Sequence, residues 1–268
     1  MDELYAAKSQ LRRLVAASAQ FKEHKMYQLE TFDFQWKNLP YHDAFLSNPE
    51  WRSKAPSDLC RRLDVEPSWL VGKRVLDCGC GPGRHAWTFS SLGAQVMAFD
   101  MSDSGLVDAK RECADYPSAV IEKQNILEPL PYSTDFDVVW SYGVIHCTGD
   151  TYGALSNIAK HVRPGGLIYF MIYAEPERTN FDAYRYYHEV YALRQLTNRL
   201  NLAEKAQVMK RIQRERWALS WFDAISSNIN DLYTFEEAHD LLRSLGFVNI
   251  KRTMPGERNL NVVATRSQ

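Results

Sequence analysis

The chain has 268 residues, of which 45% are hydrophobic and 24% charged, and its formal net charge is −1. This balance is ordinary for a globular protein and gives no indication of nucleic acid or an anionic membrane as a partner. The first residues lack the apolar segment of a secretory signal, and no apolar run is long enough to span a bilayer. The spacing of the five cysteines fits neither a disulfide framework nor a zinc site, which predicts reduced thiols, no metal and a cytoplasmic protein.

Helical spacing of apolar residues predicts one helix over about residues 3–28, and the aromatic stretch that follows, 31–43, has no clean period and is interpreted as an ordered loop. From residue 73 onward, short apolar strands alternate with helices. The strands are predicted over about 73–77, 95–100, 119–125, 136–141 and 167–173, with helices over 84–92, 104–115 and 151–162. This alternation predicts a parallel, doubly wound α/β sheet.

A helical insertion is predicted from after Pro176 to about residue 222. Thr234 then begins a capping box that opens a helix, and two strands, 247–252 and 259–266, close the chain. The complete fold is therefore predicted as a mostly parallel sheet of seven strands, with an N-terminal helical lid and a helical insertion after strand five. The expected segments are the N-terminal helix and aromatic lid (1–70), the cofactor-binding core (71–176), the substrate cover (177–230) and the closing helix and strands (231–268).

A glycine-rich turn follows the first predicted strand and reads Val75-Leu-Asp-Cys-Gly-Cys-Gly-Pro-Gly-Arg-His. Its glycines let the backbone turn sharply and approach a ligand closely. Asp100 ends the next strand, where a carboxylate can accept hydrogen bonds from both hydroxyls of a ribose. The G-x-G-x-G spacing differs from the dinucleotide fingerprint, and Asp77 would repel a pyrophosphate but suits an ammonium or sulfonium group. Together these features predict a nucleoside-containing cofactor at the carboxyl ends of the strands.

The glycine turn and Asp100 resemble motif I of class I S-adenosylmethionine-dependent methyltransferases. The resemblance covers residues 73–174 and extends more weakly to the end of the chain; it implies a Rossmann-like fold with S-adenosyl-L-methionine as cofactor. The implied cofactor-binding residues are Asp77, Gly79, Cys80 and Gly81 for the methionine part, Asp100 for the ribose, Met101, Asn125 and Ile126 for the adenine, and Ser141 and Tyr142 for the methionine amine. Ordinary capping of strand ends is the alternative interpretation of Asn125 and Ser141.

Residues 141–151 resemble a motif of a bacterial subgroup that modifies small molecules and polysaccharides, which implies a small organic methyl acceptor. His146, just past strand four, is the first candidate for a general base or an orienting residue; alternatively, it only packs against the cofactor. Glu175 is the second candidate, with a solvated loop carboxylate as the alternative. Contacts to the acceptor are expected from Trp36, Tyr173, Tyr187 and His188. The excess of basic residues over 177–217 could meet an anionic acceptor or simply form a solvated helix face.

Other functions remain open at this point. Some methyltransferases that modify the wobble position of tRNA resemble the segment Gly143-Val-Ile-His, but a pI near 6.7 and the lack of an evident RNA-binding appendage argue against RNA. No D-P-P-Y or N-P-P-Y motif occurs, which argues against methylation of DNA bases. A non-catalytic cofactor-binding or regulatory protein is the alternative of a different class. The N-terminal segment could form a lid or dock between subunits, so a homo-oligomer is possible.

Overall fold

The computed structural model describes residues 19–39, 45–176, 181–212, 218–229 and 231–268. Of the helix predicted over about 3–28, the part before residue 19 lies outside the described residues. Within the described part of the chain, no helix is both long and apolar enough to cross a membrane.

In the described part of the chain, seven strands form one sheet. They are β1 (Arg74–Cys78), β2 (Gln95–Asp100), β3 (Ala119–Lys123), β4 (Phe136–Tyr142), β5 (Val162–Ile172), β6 (Phe247–Thr253) and β7 (Leu260–Arg266). Their order in the sheet is β3-β2-β1-β4-β5-β7-β6. The first five strands are parallel, while β7 runs antiparallel to both β5 and β6. The structure thus confirms the predicted Rossmann-like, mostly parallel sheet of seven strands.

Helices cover both faces of the sheet. In the described ranges they are α1 (Ala19–Asn38), α2 (Pro49–Leu63), α3 (Arg84–Ser91), α4 (Asp103–Glu112), α5 (Thr151–Ala159), α6 (Phe181–Thr197), α7 (Leu202–Ile212), α8 (Ala218–Ser226) and α9 (Phe235–Ser244). Successive residues of a strand point to opposite sides of the sheet. Val75 therefore packs with residues of α2, α3 and α4 on one face, whereas Leu76 packs with residues of α5 and α9 on the other.

The aromatic stretch after residue 31 is helical up to Asn38, so the predicted loop is wrong there. Residues 40–44 of that prediction lie outside the described residues. Tertiary contacts explain the difference, because aromatic residues have only a weak intrinsic preference for helix. Phe34 stacks on Phe222 of α8, with their ring centroids 5.6 Å apart, and Asp33 accepts hydrogen bonds from Ser102 and Ser104 at the start of α4.

Two helix starts follow from local side-chain chemistry. The predicted capping box of α9 is present: the Thr234 hydroxyl accepts from the backbone N–H of Glu237 at 3.2 Å, and the Glu237 carboxylate accepts from the N–H of Thr234 at 2.9 Å. The sequence analysis did not predict α2, which begins at Pro49 with Asn48 as its N-cap. A proline suits the first turn of a helix, where its missing N–H would have had no partner.

Gly83, which links the glycine turn to α3, gives the first testable prediction. Its φ is +86°, and a Cβ there would lie 2.7 Å from the backbone Cα of Ala109 in α4. Gly72 is a matched control because its φ is +73° but a Cβ added there would have no atom within 4 Å. We expect Gly72→Ala to lower the free energy of unfolding by about 1–2 kcal/mol through backbone strain alone. Gly83→Ala should cost a further ~1–3 kcal/mol through overpacking. Urea unfolding of both variants measures the difference, and equal losses would contradict the close packing of the turn against α4.

Candidate active site

The glycine turn exposes bare backbone at the carboxyl end of β1. Gly79 and Cys80 donate their N–H groups to the carbonyl of Phe99, at 2.8 and 2.9 Å, which fixes the turn against β2. Gly79 has a φ of +84°, and a Cβ on it would lie 2.4 Å from a methyl group of Val144. At Gly81, whose φ is +50°, a Cβ would meet the ring of Trp36 at 3.3 Å. The turn therefore has no room for a side chain at Gly79 and little room for one at Gly81.

Asp100 ends β2 beside this turn. Its two carboxylate oxygens each accept one backbone hydrogen bond of 2.8 Å, one from the N–H of Gly81 and the other from that of Ser102. Burial raises the pKa of Asp100, while these backbone hydrogen bonds oppose the increase. Each oxygen keeps a further lone pair for a ligand hydroxyl, since a carboxylate oxygen can accept more than one hydrogen bond.

A cavity of about 540 Å³ opens over the carboxyl ends of the strands. Its wall includes the glycine turn and Asp100 as well as side chains of α1 and α8. Seven of the ten predicted cofactor residues line it: Gly79, Gly81, Asp100, Met101, Asn125, Ile126 and Tyr142. Aromatic side chains on the wall are Phe32, Trp36, Phe45, Phe99, Tyr142 and Tyr173. Concave, largely apolar sites with a few convergent polar groups are typical of small-molecule binding.

The other three predicted cofactor residues, Asp77, Cys80 and Ser141, are buried and do not line the cavity. Ser141 donates its hydroxyl to the carbonyl of Cys78 at 3.0 Å and so joins β4 to β1. Burial and the charge of Asp100 raise the pKa of Asp77 to about 8, and the nearby Arg84 guanidinium opposes the increase. The direct contact of these three side chains with a cofactor stays a prediction.

Helix α1 lies over the cavity and is held at two points. At its middle, the Gln28 side-chain carbonyl accepts from the backbone N–H groups of Asn228 and Ile229, at 3.0 and 3.2 Å. One turn later, Asp33 binds the first residues of α4. Burial acts against this carboxylate, but hydrogen bonds from Ser104 and Ser102 lower its pKa. Gln28, Phe32, Gln35 and Trp36, which recur at helical spacing, therefore form a fixed roof over the cavity.

The two predicted catalytic residues do not line the cavity. His146 is fully buried behind Tyr173, and the centroids of the two rings lie 4.2 Å apart. Neither ring nitrogen has a hydrogen-bond partner among the described residues, and burial lowers the pKa of His146 to about 3, so the ring is neutral. Glu175 is half-buried at the end of the sheet, where its backbone N–H donates to Tyr233. The catalytic role of each residue stays a prediction.

The four predicted acceptor contacts divide into two pairs. Trp36 and Tyr173 line the cavity, whereas Tyr187 and His188 lie on an exposed face of α6, with their rings against each other. Among the described residues, no group of three His, Cys, Asp or Glu side chains could hold a metal ion.

Asp223 of α8 is a site residue that the sequence analysis missed. Its carboxylate oxygen Oδ2 accepts a hydrogen bond of 2.6 Å from the Tyr173 hydroxyl, and both residues line the cavity. Burial raises the pKa of Asp223, whereas the hydrogen bond from Tyr173 and the charge of Arg194 lower it. No local motif marks this residue, because it lies within an ordinary helical segment and reaches the site only through the fold.

Comparison with known proteins places residues 76–170 in a family described as "Methyltransferase domain". The chain is 35% identical to a tRNA U34 carboxymethyltransferase of Methylococcus capsulatus over 138 residues, which are 49% of this chain and 41% of that enzyme. It thus spans about two fifths of the length of that relative. It is also 27% identical to a demethylmenaquinone methyltransferase of Tropheryma whipplei over 206 residues, which are 77% of this chain and 76% of that one.

Among solved structures, the fold is similar to that of phosphoethanolamine N-methyltransferase 2 from Haemonchus contortus in complex with S-adenosyl-L-methionine. The TM-score is 0.54 at 16% sequence identity, and the likeness covers 96% of this chain and 60% of that one. At this identity the likeness concerns the fold alone.

Proposed function

Because the chain carries a methyltransferase domain of the class I S-adenosylmethionine-dependent type, we propose that it transfers a methyl group to a small organic molecule bound in the cavity. One observation carries the proposal: the cavity joins the glycine turn and Asp100 to the Tyr173–Asp223 pair under the roof of α1. Cofactor and acceptor would therefore meet in one site.

S-adenosyl-L-methionine is the cofactor of such domains, and the side chains at the carboxyl ends of the strands fit it. Asp100 would hold the ribose hydroxyls, while Met101 and Ile126 would pack on the adenine. Asn125 already accepts from the N–H of Leu127 at 3.0 Å, but its carbonyl oxygen has a second lone pair for the adenine amine. Arg84, at the start of α3, would attract the cofactor carboxylate. When bound, the cofactor supplies a methyl group on a positively charged sulfur.

The chain's own contribution is to align the acceptor and to exclude water. Holding two reactants in the correct orientation within one site can account for much of the decrease in the activation barrier. The roof of α1 limits access of solvent to the acceptor, and Tyr173 forms the wall beside it. We propose that His146, neutral and packed against the Tyr173 ring, acts by positioning Tyr173.

The charges around the cavity favour a neutral or cationic acceptor over an anionic one. Among the described Lys and Arg residues, Arg84 alone lines the cavity, whereas Asp100 and Asp223 are both part of its wall. Two basic residues of the predicted substrate cover have other partners: Arg185 approaches Asp182 and Glu189, and Arg194 donates to the carbonyl of Ala224 while its charge acts on Asp223.

Thermal unfolding in the presence of S-adenosylhomocysteine tests the proposed cofactor. At about 100 times its dissociation constant, a ligand that binds the folded state stabilises it by ~2.7 kcal/mol. At about 2–4 °C per kcal/mol for a chain of this size, the midpoint should rise by roughly 5–10 °C. NAD is the control, because the glycine spacing does not suit a pyrophosphate. A shift with NAD alone, or with neither compound, would contradict the proposal.

A tRNA acceptor is the second candidate, favoured by the 35% identity to the tRNA-modifying relative. Transfer of a labelled methyl group to two pools, bulk bacterial tRNA and a collection of small phenols, alcohols and amines, separates the two functions. Labelling of the tRNA alone would replace the small-molecule proposal. Cofactor binding with no transfer to either pool would favour a non-catalytic or regulatory protein.

A further inference from the structure

The acceptor side of the cavity contains a carboxylate oxygen that is buried without a partner. Asp223 uses Oδ2 to accept from Tyr173, but its Oδ1 is out of contact with solvent and has no hydrogen-bond partner among the described residues. The side-chain oxygen of Gln35, on the roof of the same cavity, is buried and unpartnered in the same way. Buried acceptors without donors are costly, so each such group calls for an explanation.

A ligand that supplies hydrogen-bond donors would satisfy both oxygens. Donors of the protein do not fill this need, because the Tyr173 hydroxyl is already directed to Oδ2 and Arg84 lies over the rings of Phe45 and Tyr142, 5.0 and 4.9 Å from their centroids. An anionic ligand would instead place negative charge against the Asp223 carboxylate. This part of the cavity wall therefore favours a ligand that carries hydrogen-bond donors over an anionic ligand.

We propose that Asp223 binds an O–H or N–H group of the methyl acceptor through Oδ1 and accepts its proton, and that Gln35 receives a second donor of the same molecule. The inference rests on the proposed methyl transfer and narrows its acceptor to a protic aromatic or aliphatic molecule. The acceptor's oxygen or nitrogen forms the new bond to the methyl carbon as the carbon–sulfur bond breaks, with its electron pair going to sulfur. The acceptor's proton passes to Oδ1, and the neutral carboxylic acid later returns it to solvent.

Two features suit Asp223 to this role. Burial raises its pKa, which makes its carboxylate a stronger base than an exposed one, while Tyr173 and Arg194 still favour the ionised form. Tyr173 is the positioning residue, since its hydrogen bond fixes Oδ2 and both residues line the cavity.

Binding of three matched probes tests the proposal without any knowledge of the natural acceptor. Benzyl alcohol, benzylamine and benzoate share one ring, which suits the aromatic wall, and differ in the group they present to Asp223. Each is titrated at pH 8 against the protein saturated with S-adenosylhomocysteine, with thermal shift and calorimetry as readouts. We expect benzyl alcohol and benzylamine to bind at least about tenfold more tightly than benzoate, since a hydrogen bond to a charged group has roughly that value.

The variant Asp223→Asn should reduce the preference for benzylamine over benzoate to within about twofold. Asp182→Asn is the matched control, because Asp182 is an exposed carboxylate on α6, and it should keep the full preference. Asp223→Ser removes the carboxylate but keeps a small polar side chain, and it should reduce the preference in the same way, so it serves as the test if Asp223→Asn does not fold.

Two results would overturn the proposal: equal or absent binding of the three probes, or a preference that survives in Asp223→Asn. The shift caused by S-adenosylhomocysteine alone is recorded for every variant. If S-adenosylhomocysteine causes no thermal shift in the wild-type protein, the proposed cofactor is refuted. If it does cause a shift but the three probes bind equally, only the role of Asp223 is refuted.

Discussion

Asp223→Asn is expected to lower the turnover of a protic acceptor by about 10²–10⁴-fold, the usual contribution of a general base. Asparagine keeps the size of the side chain but cannot take a proton. Binding of S-adenosylhomocysteine should be unchanged, because Asp223 lies on α8 and the predicted cofactor residues lie at the ends of β1, β2, β3 and β4. Single-turnover transfer of a labelled methyl group to an acceptor found in the small-molecule pool measures the effect.

The pH dependence of the same reaction provides a second readout. Asp223 must be ionised to accept a proton, and burial raises its pKa, so the wild-type rate should rise with pH through that pKa and then level off. The groups that face Asp223 are Tyr173, Arg194, Cys147 and Tyr186. The pKa values of the tyrosines and the thiol are raised, mainly by burial, so these groups stay neutral over this range. In Asp223→Asn the rising limb should be absent; a variant that keeps both the limb and its rate would show that another group takes the proton.

The cofactor side of the site could be predicted from the sequence because its chemistry is local. A glycine turn after one strand and a carboxylate at the end of the next are close in sequence, and a parallel sheet brings their carboxyl ends together at one edge. The hydrogen bond from the Gly81 N–H to Asp100, 2.8 Å long, is the product of that adjacency. Ser141 shows what such a prediction cannot decide. The position of a residue at the end of a strand does not tell whether its side chain faces the ligand or joins two strands.

The acceptor side could be predicted only in part: Tyr173 was expected there, but the residues of this side meet only through tertiary packing. Asp223 and Tyr173 lie 50 positions apart. Asp33 bonds to Ser104 across 71 positions, and the part of α1 that carries it was predicted as a loop. His146 attracted attention through its place after β4, yet the fold puts its ring behind Tyr173. A motif identifies a turn of backbone well, whereas the direction of a single side chain depends on the elements packed around it.

Asp100→Ala should weaken binding of S-adenosylhomocysteine by about 10²–10⁴-fold. Two hydrogen bonds from ribose hydroxyls to a carboxylate would be lost, each with a value of about 1.5–3 kcal/mol, and a tenfold change in affinity corresponds to ~1.4 kcal/mol. The backbone N–H groups of Gly81 and Ser102 would also lose their acceptor, so the turn itself should loosen. Calorimetric titration at 25 °C gives the affinity directly.

Asp103→Ala is the control for this experiment, because Asp103 lies three residues away, is exposed and pairs with Lys123 at 2.7 Å on the surface. We expect that variant to bind S-adenosylhomocysteine like the wild-type protein. Asp100→Asn should fall between the two, since it keeps one carbonyl oxygen for either a ribose hydroxyl or a backbone N–H. Wild-type affinity in Asp100→Ala would mean that the ribose is held elsewhere and that the carboxylate only fixes the glycine turn. An effect on cofactor affinity in Asp100→Ala but not in Asp223→Asn would instead show that, of the two carboxylates in the wall of this cavity, only Asp100 holds the cofactor.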